Sequence, residues 1–292
     1  MRILIIGGTG FIGVHVVHRL ALSGHEVTVY HRGQTRASLP EGVNEIVQPQ
    51  SPPGGVPDGL LRSEPDVVIH TVAMGVTDAE PFVRAFSGRT GRIVALSSGD
   101  VYRAYGRFIK FEPGPVESGL LSEDSPLRTK FFPYRKEATP PDSLHYRYEK
   151  ILVERAFLSD PGTPGTVLRL PKVYGPGGNQ DLATIYGNSL HPHWRWTHGF
   201  VENVAAAITL AATHPRAAGR VYNVGEQYTP TIAERLVRLP PSTLGPDPER
   251  DSHFDFAHDL AYDTSRIRSE LNYREIVSDE EGLLRTVQAA AS

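Results

Sequence analysis

Ile3-Leu4-Ile5-Ile6-Gly7-Gly8-Thr9-Gly10-Phe11-Ile12-Gly13 joins an unbroken apolar run directly to a glycine loop. Four consecutive apolar residues bounded by glycine predict a strand buried on both faces, as strands inside parallel sheets are. Val14, Val17, Leu20 and Ala21 then share one helical face, up to a stop near Ser23-Gly24, and Glu26-Val-Thr-Val-Tyr30 reads as a second strand. Strand, glycine loop, helix and strand in this order predict the start of a parallel α/β sheet.

Within that loop, Gly8-Thr9-Gly10-Phe11-Ile12-Gly13 matches G-x-G-x-x-G in the context the motif requires. Glycines there permit a tight turn, close approach of a pyrophosphate and close packing of helix on sheet, while the helix N-terminus offers free N–H groups to an anion. Gly7, Gly10, Phe11, Ile12 and Gly13 are therefore the candidate residues around a bound dinucleotide. The second strand runs into His31-Arg32, without the carboxylate that hydrogen-bonds the adenosine ribose of NAD. An arginine can instead take the 2′-phosphate of NADP. Arg32, with Arg36 nearby, points to NADP ahead of NAD.

Further strands are expected at Asp66–His70, Arg92–Ser97 and Thr166–Leu170, with helices around 78–87 and 147–159. Pro and Gly gather at 49–59, 113–115, 161–165, 175–178 and 240–247, which read as loops and lobe boundaries. The expected architecture is a Rossmann-type doubly wound parallel sheet with a small C-terminal substrate lobe. The sheet domain is drawn over 1–175 and 199–225, and the lobe over 176–198 and 226–292.

A formal charge of -3 gives no basic field to attract nucleic acid or an anionic membrane. The absence of cysteine excludes disulfides, thiolate metal sites and cysteine nucleophiles. The run at Ile3–Ile6 is too short for a leader, and no apolar stretch approaches the ~20 residues that span a bilayer. A cytoplasmic protein acting on a small molecule is expected, with no metal and with a homodimer left open.

His145-Tyr-Arg-Tyr-Glu-Lys150 puts two tyrosines and a lysine ahead of the apolar run Ile151-Leu152-Val153. On a continuous helix, Tyr146 and Lys150 share a face and Tyr148 points elsewhere. An ammonium beside a phenol favours the phenolate, which suits proton transfer.

These residues, the glycine loop and Ser97-Ser98-Gly99-Asp100-Val101-Tyr102 together resemble the short-chain dehydrogenase/reductase superfamily, and within it the extended NAD(P)-dependent epimerase/dehydratase family. Leu168-Arg169-Leu170-Pro171-Lys172-Val173-Tyr174-Gly175, His198-Gly-Phe-Val-Glu-Asn-Val204 and Val221-Tyr-Asn-Val-Gly225 add to the likeness, as does Asp263–Tyr273, in the family's order. The resemblance implies that Ser98, Tyr146 and Lys150 are catalytic. Ser98 would bind the reacting oxygen, Tyr146 would transfer the proton, and Lys150 would support it and hold the nicotinamide ribose. It further implies that His70, Ala73, Pro171 and Val173 line the cofactor groove. The implied activity is hydride transfer at a carbinol or carbonyl carbon, as an oxidoreductase or epimerase on a sugar or nucleotide sugar. The alternative is a catalytically silent nucleotide-sensing or RNA-binding relative, against which the intact Ser98, Tyr146 and Lys150 argue.

The chain departs from the family at several points. Gly99 stands where the family's dehydratases carry the first of two acids, which ranks dehydration below epimerisation or simple oxidoreduction. Lys172 replaces a frequent asparagine, and the stretch between Gly175 and Phe200 is short. Residues 103–142 form a long Pro-rich insertion, read either as a lid or specificity loop or as a surface excursion. His191 and His193 could ligate a metal but lack partner carboxylates at ligand spacing. Packing is the favoured reading there, with Trp194 and Trp196 as a flat wall for a ring.

Overall fold

A computed structural model describes residues 1–48, 56–177, 182–242 and 245–291. The parts of the expected loops that fall at 49–55, 178 and 243–244, and the lobe residues 178–181, lie outside these. The strands are β1 Arg2–Ile6, β2 Glu26–His31, β3 Asn44–Val47, β4 Val67–His70, β5 Arg92–Ser98, β6 Gly165–Leu170, β7 Lys172–Tyr174, β8 His198–Phe200 and β9 Val221–Asn223. The helices are α1 Phe11–Leu22, α2 Asp58–Leu61, α3 Val76–Phe86, α4 Arg103–Phe108, α5 Leu144–Arg147, α6 Lys150–Leu158, α7 Leu182–Gly187, α8 Val201–Thr213, α9 Ile232–Val237, α10 Pro248–Asp251, α11 Ser265–Leu271 and α12 Asp279–Ala291.

Seven strands form one parallel sheet in the order β3-β2-β1-β4-β5-β6-β9. This is the doubly wound arrangement that the first strand and its glycine loop predict, with the order reversing between β1 and β4. Alternate side chains of each strand feed two cores. Ile3, Ile5, Val27, Val29, Ile69, Val94 and Leu168 pack against Val16, Val17 and Leu20 of α1 and Val204, Ala205 and Ile208 of α8. Leu4, Ile6, Val68, Ile93, Ala95 and Val167 pack on the other face, against Val83 and Phe86 of α3 and Val153 and Phe157 of α6. The edge strand β3 escapes sequence reading because its side chains are mostly exposed and show no alternation of apolar residues.

A second layer of structure stands at the carboxyl edge of the sheet. There β7 and β8 pair in parallel, and Val101, Tyr102, Phe108, Leu121, Trp194, Leu260 and Tyr262 share a core. Phe108 and Leu121 belong to the 103–142 insertion, so the base of that insertion is part of the lobe's interior and not a surface excursion. Ile267, Leu271 and Tyr273 pack with the sheet core, so α11 belongs to the sheet although the expected lobe was drawn across it. Among the described residues, no helix is long and apolar enough to cross a membrane.

The expected helix over 147–159 is in fact two helices, and this is the correction with most consequence. α5 ends at Arg147 and α6 starts at Lys150, with Tyr148 and Glu149 between them in extended conformation (Glu149 φ -159, ψ 99). The cause is Glu149. Its backbone N–H donates to the Met74 carbonyl at 2.9 Å. Its carboxylate accepts from Phe132 N at 2.6 Å and Ile151 N at 2.9 Å and pairs with Arg128 at 3.0 Å, both side chains being 0% exposed. A residue held on four sides in this way cannot also continue a helical ladder. Tyr146 and Lys150 therefore sit on different helices, and the shared face expected from their spacing does not exist.

Candidate active site

The register of the sheet gathers the expected site residues at one edge. Ile6 is paired with Tyr30 and His70, His70 with Ala95, and Ser98 with Leu170. The loops leaving β1, β2, β4, β5 and β6 thus open side by side.

The glycine loop fits a dinucleotide. Gly7 lies at φ +89, a conformation that favours glycine. A Cβ at Gly13 would lie 2.5 Å from the Gly7 carbonyl and 2.9 Å from the Gly8 backbone, so only glycine allows α1 to approach β1 this closely. A Cβ at Gly10 would meet nothing nearer than Gly7 O at 3.9 Å, which leaves the space in front of the helix open. Gly10 caps α1 without a side chain, and no acidic residue stands in the first turn. The end of the helix therefore presents unshielded N–H groups and the positive pole of its dipole to a pyrophosphate. Arg32 and Arg36 are exposed just beyond β2, and neither makes an ion pair among the described residues.

At the exit of β4, Ala73 is buried and gives its carbonyl to Lys150. The His70 ring faces the core, edge-on to Phe82 at 4.6 Å and near Phe157 at 6.0 Å. Neither of its nitrogens finds a hydrogen-bond partner among the described residues. It is a core histidine, contrary to the expected groove contact, and burial pushes its pKa down to about 3, with the Lys150 ammonium adding to the effect. At the exit of β6, Pro171 and Val173 are buried, and Pro171 lies against Gly199 and Gly225.

β5 delivers Ser98, whose Oγ accepts from Asp100 N at 3.3 Å across a single 3-10 turn, Gly99–Val101. A Cβ at Gly99 would overlap the Tyr262 hydroxyl, so no acid can replace Gly99 while Tyr262 is in place. Asp100 is buried, and its Oδ2 accepts from Tyr148 Oη at 2.7 Å and from Tyr134 Oη at 3.1 Å. Burial raises its pKa, opposed by the Tyr148 hydrogen bond and by Arg128 and Lys150. Ser98 acts on the Tyr148 hydroxyl as a hydrogen-bond partner that favours the phenolate, but burial and the Asp100 charge outweigh it and hold the phenol well above its usual pKa. The Lys150 Nζ donates to the carbonyls of Ala73 at 2.7 Å and Leu96 at 2.9 Å and stands 5.8 Å from the centre of the Tyr148 ring. Burial brings its pKa down to about 8. Glu154 steadies this helix by accepting from Ser97 Oγ at 2.6 Å and pairing with Arg169 at 2.8 Å.

Tyr148, and not Tyr146, thus meets Ser98 and Lys150. Tyr146 lies with its ring 3.9 Å from the Arg135 guanidinium, and its hydroxyl bonds neither Ser98 nor Lys150 among the described residues. Asp100, Tyr134 and Tyr105 are further members of the site that sequence reasoning does not single out. Trp194 is buried and stacked on Phe108 at 4.9 Å, which makes it core and not a ligand wall. Trp196 is half-buried beneath the Lys172 ammonium, 5.7 Å from its ring centre. His191 stacks on Phe256 at 3.5 Å and pairs with Asp251 at 3.1 Å, so it packs as expected.

Residues 3–87 match the model of the NAD dependent epimerase/dehydratase family. Over 184 residues the chain is 31% identical to a 2′-dehydrokanamycin reductase from Streptomyces kanamyceticus, a match covering 62% of this chain and 45% of that protein. It is 26% identical to a dTDP-glucose 4,6-dehydratase from Streptomyces niveus, over 99% of this chain and 92% of that one. Its fold is similar to that of the Thermus thermophilus UDP-glucose 4-epimerase in complex with NAD, with a TM-score of 0.66, 20% identity and coverage of 100% and 99% of the two chains. In its glycine loop and seven-stranded parallel sheet the chain is similar to the NAD dependent epimerase/dehydratase family, whose model covers its first strands and helices.

Proposed function

We infer that this chain is an NADP-preferring oxidoreductase or epimerase that transfers hydride at a carbinol or carbonyl carbon of a sugar or nucleotide sugar, with Tyr148 as its proton-transfer residue in place of Tyr146. The observation that carries the reading is the Tyr148 ring 5.8 Å from the buried Lys150 Nζ, with its hydroxyl donating at 2.7 Å to Asp100, whose backbone N–H donates to Ser98 Oγ. When bound, the nicotinamide supplies or takes up the hydride. Ser98 orients the substrate oxygen, and Tyr148 Oη gives that oxygen a proton or receives one from it. The Lys150 ammonium offsets negative charge that develops on the phenol. Gly99 leaves the site without the acid that elimination of water would use. The Arg32 and Arg36 side chains, exposed beyond β2, would meet a 2′-phosphate. The Gly10, Phe11, Ile12 and Gly13 segment would hold the pyrophosphate. The reading places the protein in the cytoplasm, in keeping with a chain without cysteine.

The test is to incubate the purified protein with NADPH or NADH and a panel of ketosugars and nucleotide sugars, following cofactor absorbance and product identity by NMR. Oxidation of NADPH in preference to NADH, or inversion of a sugar carbon with catalytic cofactor, is expected. Tight NADPH binding with neither reaction on any member of the panel would favour the nucleotide-sensing alternative.

A further inference from the structure

Three tyrosines converge on one carboxylate. Tyr105 Oη and Tyr134 Oη are 2.9 Å apart, Tyr134 donates to Asp100 Oδ2 at 3.1 Å, and Tyr148 donates to the same oxygen at 2.7 Å. Asp100 Oδ1 is buried and finds no partner among the described residues. Tyr134 comes from the insertion. It is brought here by Arg128, whose Nε donates to the Asp100 carbonyl and whose Nη1 donates to the Lys130 carbonyl at 2.7 Å. A hydroxyl that already donates to a carboxylate can release its own proton there as it accepts another, whereas a tyrosine paired only with an ammonium has to keep the proton.

We propose that Asp100 holds the proton of this site: a proton taken by Tyr148 from a substrate hydroxyl is matched by transfer of Tyr148's own proton to Asp100 Oδ2, and Tyr134 from the insertion tunes that carboxylate. The inference rests on the reading of Tyr148 as the proton-transfer residue. In the oxidative direction the substrate C–H leaves as hydride to NAD(P)⁺. The O–H proton goes to Tyr148 Oη, the Tyr148 proton goes to Asp100, and the C=O bond forms. Tyr134 can turn its proton toward Tyr105, since either hydroxyl of that pair can donate, so Oδ2, once protonated by Tyr148, need not also accept from Tyr134. Reduction of a carbonyl is the reverse, with protonated Asp100 refilling Tyr148. Asp100 acts through Tyr148 and is therefore a positioning and proton-holding residue.

The groups facing Asp100 are Tyr148 and Lys150 around the start of α6, Tyr134 and Arg128 from the insertion, Tyr105 from α4, and Tyr262. Burial is the largest influence on the carboxyl and favours its protonated form. That suits a group that must accept a proton and give it back.

Ultraviolet difference titration of tyrosinate, on protein saturated with NADP⁺, reads the coupling without a substrate. In the wild type, burial and the Asp100 charge should hold Tyr148 ionisation well above the ~10 of an ordinary tyrosine, so wild type and Tyr148→Phe should give the same titration up to that pH. In Asp100→Asn the charge is gone, and one additional tyrosine should titrate at lower pH than in the wild type. That step should vanish in Asp100→Asn/Tyr148→Phe. A one-tyrosine difference between wild type and Tyr148→Phe in the ordinary range would overturn the proposal, and this comparison does not depend on Asp100→Asn folding. So would an Asp100→Asn titration identical to the wild type. Loss of turnover in Tyr148→Phe with no such coupling would keep Tyr148 as the proton-transfer residue and remove Asp100. Coupling with full turnover in Tyr148→Phe would instead overturn the functional reading itself.

Discussion

The Arg128 guanidinium and the Glu149 carboxylate form a fully buried ion pair, 3.0 Å from Nη2 to Oε1 and 21 residues apart in the chain. It ties the insertion to the start of α6, holds open the break at Tyr148 and Glu149, and so decides which tyrosine faces the Asp100 side of the site. Arg128→Met should leave Glu149 buried and unpaired and destabilise the protein by about 3–5 kcal/mol in urea unfolding. Arg128→Met/Glu149→Leu should recover part of that loss, because two apolar side chains leave no stranded charge. Additive losses in the pair of variants would show that the two residues act separately.

His70 gives a pH dependence with a definite sign. Its folded-state pKa is depressed from 6.5 to about 3, so the unfolded chain binds the proton first and stability falls as pH drops from 6.5 toward 3. Near pH 5 the loss amounts to about 2 kcal/mol. His70→Leu should remove that share of the acid sensitivity, whatever it does to stability at neutral pH. Parallel stability curves for wild type and variant between neutral pH and pH 5 would show that His70 titrates normally.

Gly99 and Tyr262 should be coupled. Gly99→Ala drives a methyl into the Tyr262 hydroxyl and should cost at least the ~1–3 kcal/mol typical of overpacking. Combined with Tyr262→Val it should cost much less than the sum of the single changes, in a double-mutant cycle read by chemical denaturation. Strict additivity would mean that the backbone shifts to make room.

Arg32→Asp should weaken NADPH by about tenfold or more while changing NADH little, as read by fluorescence titration. Equal effects on both cofactors would remove Arg32 from the 2′-phosphate site.

The part of the site made by one local stretch of chain was legible. β1, the glycine loop and α1 follow from an apolar run, backbone freedom at Gly7, close approach at Gly13, and one helical face, all within Ile3–Leu22. The parallel order of the sheet followed from the same alternation. The identity of the tyrosine was not legible, because helix phase is a local rule and here a contact between residues 128 and 149 overrides it. No capping signal marks the break: Glu149 is a weak N-cap choice, and the sequence around it reads as continuous helix. Asp100 was noticed only for lacking an acidic neighbour at 99, since nothing local shows that Tyr134, 34 residues on, returns to it. Trp194 was misread as a wall because its stacking partner, Phe108, lies far away in sequence.

The most direct test of the account compares Tyr148→Phe with Tyr146→Phe, each measured for turnover and for NADPH affinity on a substrate that the wild type converts. Each change deletes one hydroxyl and keeps the ring. Tyr148→Phe should lower kcat by ~10²- to 10⁴-fold, the usual weight of a general acid–base group, with NADPH affinity nearly unchanged, while Tyr146→Phe stays close to wild type. A dead Tyr146→Phe beside an active Tyr148→Phe would contradict the account and show that the working enzyme closes the break between α5 and α6.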